Sequence, residues 1–326
     1  MVFSWLTLMF LLMQQPQQQP QPIPVPYKPE LPKTLTIVHQ GQPVAKVDRK
    51  HYTIEALGEP YVRDDQLTTL EDELAQRTDR PPVNAKLDSA GRIVKEQTGA
   101  RLDRAALAET MYRFLIEGRS TQVEVPQQPI YPKVDSELLT QIKEKAIGYY
   151  ATYYNSYNKS RSHNISLAAN AINNTVIFPG ETFSFNAVVG KRTAEKGYMK
   201  APVIVRGEMS EDIGGGICQI SSTLFNAADR AGLHIVQRYS HSRNVHYVPH
   251  GRDATVSWHG PDFVFQNKYS MPILIRAFAQ HGQVYIAIYS SEMIHYKPRE
   301  VPHASKQLPE EVRAERGVQS VLPSLP

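Results

Sequence analysis

Three consecutive glycines, Gly214, Gly215 and Gly216, run directly into Ile217 and Cys218, the only cysteine of the 326-residue chain. A glycine triplet frees the backbone from Cβ sterics and marks a tight turn or a close approach to a ligand. The residues after it predict a helix: Ile217, Ile220, Leu224, Ala227 and Ala228 recur at spacings of three and four, and Gly232 supplies a stop. Cys218 then falls in the first helical turn. Unpaired backbone N–H groups and the positive end of the helix dipole favour a thiolate there over a thiol. The N–H groups of the glycines could also receive an oxyanion. A lone cysteine is more often a small buried hydrophobe than a nucleophile. The chemical reading therefore needs a partner residue.

Residues 239–253, YSHSRNVHYVPHGRD, offer one, with His241, His246 and His250 interleaved among Arg243, Arg252 and Asp253. Cysteine hydrolases and transferases require a thiolate, a histidine that stabilises it and passes protons, and often a third group that orients the imidazole. The 22 residues between Cys218 and His241 leave room for one helix and a return strand. Zinc bound by Cys218 and the histidines is the competing reading. The histidine spacings of five and four fall in a loop, and no second cysteine or H-E-x-x-H helix supports it, so no metal is assigned. No phosphate loop or haem motif appears, and no cofactor is expected.

The chain is long enough for more than one domain. At 41% hydrophobic and 21% charged residues it reads as neither disordered nor polytopic. A net charge of +4 suits an anionic surface such as a cell wall and is too weak to argue for nucleic acid. Residues 1–13 are apolar and uncharged, shorter than a spanning helix, and read as an export signal or anchor. Residues 14–26, where eleven of thirteen positions are Gln or Pro, read as an extended linker. Together residues 1–26 suggest a membrane tether.

An α+β module is expected over residues 27–134. Residues 31–56 predict strands around a His39-Gln-Gly-Gln turn, and Asp103 predicts the cap of a helix carrying Leu107, Met111, Phe114 and Leu115 and ending at Gly118. A second domain is expected over residues 135–296, an α+β fold with a mixed sheet and short helices. It includes a strand at 147–154, a helix capped around Asn164, a buried strand APVIVRG leading to the glycine loop, strands LHIVQRY and ATVSW, and a closing hairpin around His281-Gly282. Residues 297–326 read as a disordered tail.

From about residue 153 to 289 the chain resembles the VanW family, named after an accessory protein of vancomycin-resistance clusters. Three long stretches carry the resemblance: SRSHNISLAANAINNTVIFPGETFSFNAVVGKRTAEKGY, APVIVRGEMSEDIGGGICQISSTLFNAADRAGL and RYSHSRNVHYVPHGRDATVSWHGPDFVFQN. The segment near 83–134 resembles the peptidoglycan-binding module that often precedes such domains. The resemblance implies a cysteine L,D-transpeptidase acting on peptidoglycan stem peptides outside the cytoplasm, secreted or membrane-anchored at the bacterial wall. It makes Cys218 the nucleophile, His241 the general base and acid, and Asp253 or a backbone carbonyl the group that orients the imidazole. Gly214, Gly215 and Gly216, with Gln219, Ser221 and Ser222 behind them, make up the substrate side. Arg243 and Arg252 are candidates for stem carboxylates, since a guanidinium pairs bidentately with them. The two serines also read as packing groups and the two arginines as structural salt bridges. A cysteine peptidase acting on the same stems and a non-catalytic wall-binding protein are the alternatives.

Overall fold

The computed structural model describes residues 31–56, 59–205 and 208–307. The expected tether at 1–26 and the end of the expected tail, 308–326, lie outside the described residues. Helices and strands are mixed in both parts of the chain, and the fold is α+β as expected. The division into units differs from a single cut near residue 134. One unit comprises residues 1–80 and 100–128, and the other comprises 81–99 and 129–326.

The first unit is built on the expected hairpin. Strands Thr34–His39 and Gln42–Asp48 turn through Gln40 and Gly41, both at positive φ (52° and 76°). The segment Gln122–Glu124 joins the first strand in parallel. Asp103 caps the helix Arg104–Tyr112 by accepting from Ala106 N at 3.0 Å. That helix runs on as a wider turn, Arg113–Glu117, and stops at Gly118, whose φ of 69° few other residues adopt. A second helix, Asp64–Thr78, presents Leu67, Leu70 and Leu74 to Leu35, Leu107 and Phe114 in one core.

In the second unit we number the elements from residue 145 onward: β1 (Lys145–Tyr153), α1 (Lys159–Ile172), β2 (Thr175–Ile177), β3 (Thr182–Ser184), α2 (Phe185–Val189), β4 (Lys200–Val205), β5 (Glu208–Ile213), α3 (Ile217–Arg230), β6 (His234–Gln237), β7 (Val264–Gln266), β8 (Ile273–Gln280) and β9 (Gln283–Ser290). Four strands form an antiparallel sheet in the order β1-β9-β8-β2. The predicted hairpin β8–β9 is its centre, turning at His281 (φ 52°) and Gly282 (φ 77°). A smaller antiparallel sheet has the order β3-β7-β6. Helix α3 lies directly on β1. A Cβ at Gly148 would sit 2.5 Å from Ala227 O, so only glycine lets the helix approach this closely. Thr152 and Thr223 hydroxyls, 2.8 Å apart, fix the register of that contact.

Several local expectations change. Helix α1 is capped by Asn158, which accepts from Arg161 N at 3.1 Å; Asn164 is fully buried inside it and has another task. Residues 201–205 of APVIVRG form one arm of the hairpin β4–β5, and β5 is the arm that leads to the glycine loop. ATVSW, residues 254–258, is irregular and not a strand, because its carbonyls accept from α3 side chains in place of a neighbouring strand. The expected tail is ordered at its start. Arg299 N donates to Arg230 O, Val301 is buried and Tyr150 donates to Pro302 O at 2.8 Å. Residues 81–99 belong with this unit because Asn174 bonds both the N–H and the carbonyl of Leu87 (2.9 and 3.0 Å), and Ala85 and Leu87 pack with Leu139, Ile142 and Leu274.

Candidate active site

The glycine loop has the geometry its sequence demands. Gly214 and Gly216 hold φ of 92° and 102°, and Gly216 is the N-cap of α3. Gly216 is required twice over: its φ is left-handed, and an added Cβ would lie 2.9 Å from Ile165 Cγ1. The buried amide of Asn164 holds the loop from behind. It donates to Gly215 O at 3.1 Å and to Met199 O at 2.8 Å, and accepts from Met199 N at 2.8 Å. Cys218 therefore occupies the second position of a fourteen-residue helix, half-buried. Among the described residues no hydrogen bond occupies the N–H of Gly216 or of Cys218, so both are free to serve an oxyanion.

His241 and Asp253 meet at Cys218. Asp253 Oδ2 accepts from His241 Nδ1 and from the His241 backbone N–H, each at 2.6 Å, and both side chains are more than nine-tenths buried. With Nδ1 committed to the carboxylate, Nε2 is the nitrogen left for Cys218, and the charges of sulfur and imidazole favour one another. The sulfur also lies 3.5 Å from Val256 O and 3.8 Å from Thr255 Oγ1. Arg238 clamps the segment that carries the carboxylate, donating to Asp253 O at 2.7 Å and to Asp253 Oδ1 at 3.4 Å.

The charges of the three groups support one another. Burial opposes ionisation of Cys218, but His241, with the Val256 backbone and the Thr255 hydroxyl, brings the thiol below its usual range. Burial also opposes charging of His241, yet hydrogen bonds to Asp253 and Cys218 raise its pKa to about 9. Asp253 is held below the ordinary carboxylate range, since hydrogen bonds from His241 outweigh its burial. These shifts favour a thiolate–imidazolium pair anchored by a carboxylate. The Tyr247 phenol is pushed well above its ordinary value, by burial first and then by the neighbouring thiolate.

The other singled-out residues fall into two groups. Gln219 is buried with its amide engaged inside the unit, donating to Thr152 Oγ1 and Tyr153 O (3.0 Å each) and accepting from Arg161 at 2.7 Å. Ser221 and Ser222 are fully buried and tie α3 to residue 254: Ser221 donates to Ala254 O at 2.5 Å, and Ser222 accepts from Ala254 N at 2.8 Å. Arg252 bonds Asp229 and Asn226 (2.8 and 2.7 Å) and packs on the Phe225 ring, so its fork faces inward. Arg243 is exposed and shares a cavity of about 250 Å³ with His241 and His250. His250 pairs with Asn244 at 2.7 Å, and His246 is exposed. Among the described residues no group of three or more His, Cys, Asp or Glu is placed to hold a metal ion.

Sequence reasoning did not single out Asn164 as a loop anchor, Arg238 as the carboxylate clamp, or Arg192. No periodicity or spacing marks any of the three, because each acts across more than ten residues of intervening chain.

Residues 160–289 match the family model described as VanW like protein. The chain is 53% identical over 283 residues to an uncharacterized protein of Bacillus subtilis (strain 168), YoaR, an alignment covering 87% of this chain and 93% of that protein. It is 34% identical over 106 residues to the vancomycin B-type resistance protein VanW of Enterococcus faecalis (strain ATCC 700802 / V583), covering 31% of this chain and 38% of that one. No solved structure matches the chain.

Proposed function

Because the chain belongs to the VanW-like family, we propose that it is a cell-wall protein, and more narrowly a cysteine acyltransferase of the L,D-transpeptidase type that forms 3-3 cross-links between peptidoglycan stems. The observation that carries the reading is the His241–Asp253 pair whose imidazole charge acts on Cys218, with the N–H groups of Gly216 and Cys218 unengaged among the described residues. The enterococcal relative is a vancomycin B-type resistance protein, which supports a role at the cell wall.

The chemistry follows from the geometry. The Cys218 thiolate attacks the carbonyl carbon after the third residue of a donor stem, and the oxyanion so formed is received by the Gly216 and Cys218 N–H groups. The imidazolium of His241, protonated at neutral pH because its pKa is about 9, gives its Nε2 proton to the departing D-alanine amine. A thioester remains. The side-chain amine of an acceptor stem then loses a proton to His241 and attacks the thioester carbonyl, and the thiolate leaves. Asp253 keeps its proton-free form throughout and fixes the imidazole orientation. This reading places the protein outside the cytoplasm, where its substrate is.

The test is mass spectrometry of muropeptides after incubating the full chain, or its Cys218→Ala variant, with tetrapeptide-stem fragments. Cross-linked dimers that have lost D-alanine, absent with the variant, are the expected result. Shortened monomers without dimers would replace the transferase with a peptidase. Binding of fragments without any turnover would leave a wall-binding protein.

A further inference from the structure

Arg192 lies in the loop between α2 and β4, against Gly214 of the glycine loop. Its Cβ and Cγ lie 3.2 and 3.4 Å from where a Gly214 Cβ would stand, and its guanidinium carbon sits 5.7 Å from the Phe185 ring centroid. Both terminal nitrogens are shielded from water, and neither has a hydrogen-bond partner among the described residues. A guanidinium in that state is costly. Burying a cation without an acceptor costs several kcal/mol, which a paired anion offsets.

The groups that face it do not fill the vacancy. Burial lowers the Arg192 pKa, while Cys218 and Asp262 act on it only through their charges. Asp262 is already taken by Ser184 Oγ (2.5 Å) and by the backbone N–H groups of Asn186 and Phe263 (2.9 and 2.8 Å). Burial raises the Tyr198 phenol, so it stays neutral and offers no counter-charge. Around the thiolate, His241 and Asp253 form their own pair, Tyr247 is neutral, and Arg161 is bonded to Gln219. A second unmatched atom, the buried Asn186 Oδ1, lies in the same segment, although its Nδ2 donates to Ser257 O and Pro261 O.

We propose that Arg192 is the carboxylate-binding residue of this site, taking the carboxylate that lies next to the carbonyl attacked by Cys218. In a stem peptide that is the C-terminal carboxylate of the residue that leaves. The proposal rests on Cys218 being the nucleophile, and it moves the carboxylate role from Arg252, whose fork is engaged by Asp229, to a guanidinium that has both terminal donors unmatched. A planar fork pairs two N–H donors with two carboxylate oxygens, so the site selects substrates that end one residue beyond the scissile bond.

The test uses the full chain and two small alkylating agents that differ in one group. Iodoacetate carries a carboxylate beside its reacting carbon; iodoacetamide carries a neutral amide. With either, the Cys218 sulfur forms a bond to carbon and iodide departs, and the modified chain is read by intact mass, Cys218 being the only cysteine. The expected result is that the iodoacetate-to-iodoacetamide rate ratio falls roughly tenfold in Arg192→Gln and recovers in part in Arg192→Lys. An unchanged ratio overturns the proposal, whether both rates fall together, which would show Arg192 acting only on the thiolate, or neither moves. Should Arg192→Gln fail to fold, competition on the natural chain decides. N-acetyl-D-alanine should slow labelling by iodoacetamide, and N-acetyl-D-alaninamide should not; equal effects from the two overturn the proposal. Neither readout needs turnover. A chain that forms no cross-links yet keeps the carboxylate preference loses the acyl-transfer reading and keeps this one.

Discussion

Asp253 does two jobs with one oxygen, bonding the imidazole and the backbone of the same histidine at 2.6 Å. Asp253→Asn should retain the fold and lower cross-linking by roughly 10²- to 10⁴-fold, because the amide no longer selects the tautomer that presents Nε2 to sulfur. The pH midpoint of Cys218 alkylation should rise in the same variant, which a purely structural change would not produce. His241 also makes stability depend on pH. Its pKa is raised to about 9 in the folded chain from 6.5. Its contribution is therefore fully present below about pH 6.5 and is lost as pH rises through 9. Thermal melts should show that loss, on the order of 1–3 kcal/mol, and His241→Gln should abolish the slope. Arg252→Ala is expected to cost about 1–3 kcal/mol of stability while leaving the KM for stem peptides unchanged, since its partners are Asn226 and Asp229. Cys218 and the histidine-rich stretch were legible because a glycine loop, a helix start and clustered histidines each leave a local mark; which of the three histidines faces the sulfur, and which group orients it, were not, since that depends on how the loop at 239–253 folds. Arg192 was not legible. In GKRTAEKG it reads as one more charge on a polar surface turn, and only the chain folding back over it removes its water.

Among the elements, α3 depends most on the absence of side chains beneath it. Gly148→Val should separate the helix from β1 and destabilise the unit by about 3 kcal/mol or more, since the obstacle at 2.5 Å is backbone, which cannot rotate away. Chemical denaturation should show a lowered midpoint with an unchanged slope. The same contact shows why the strand expected at 147–154 was easy to foresee and the closeness of the helix to it was not. β-branched and aromatic residues announce a strand, whereas a glycine within it announces only that something comes close. The helix Asp64–Thr78 was readable and passed over: Leu67, Leu70 and Leu74 stand at spacings of three and four on its buried face. The error at ATVSW has a different origin. Alternating apolar residues normally signal a half-buried strand, but here Ala254 and Val256 turn inward while their carbonyls meet Ser221, Ser222 and Cys218 in place of a strand partner. Alternation reports which side chains are buried and is silent on what the backbone bonds.

At the scale of the molecule, residues 81–99 decide where the second unit begins. A fragment starting at residue 135 loses Ala85 and Leu87 and uncovers Leu139, Ile142 and Leu274. It should melt below the full chain and bind a hydrophobic dye that the full chain does not, readable by differential scanning fluorimetry. Sequence composition placed the boundary at a proline-rich stretch near residue 132, a fair signal for a linker; it could not register that an earlier hairpin is bonded to Asn174. The chain crosses between the two units three times, at 80–81, 99–100 and 128–129. A protease that nicks the chain at 128–129 frees residues 129–326 covalently, and only the hold of Asn174 and the Leu139–Leu274 cluster on residues 85–87 then keeps the cysteine-bearing part on its companion. Synthesis has an enforced order as well. The first unit cannot close until residue 128 has left the ribosome, and the strands at 86–94 wait for residue 174 before they have anything to hold.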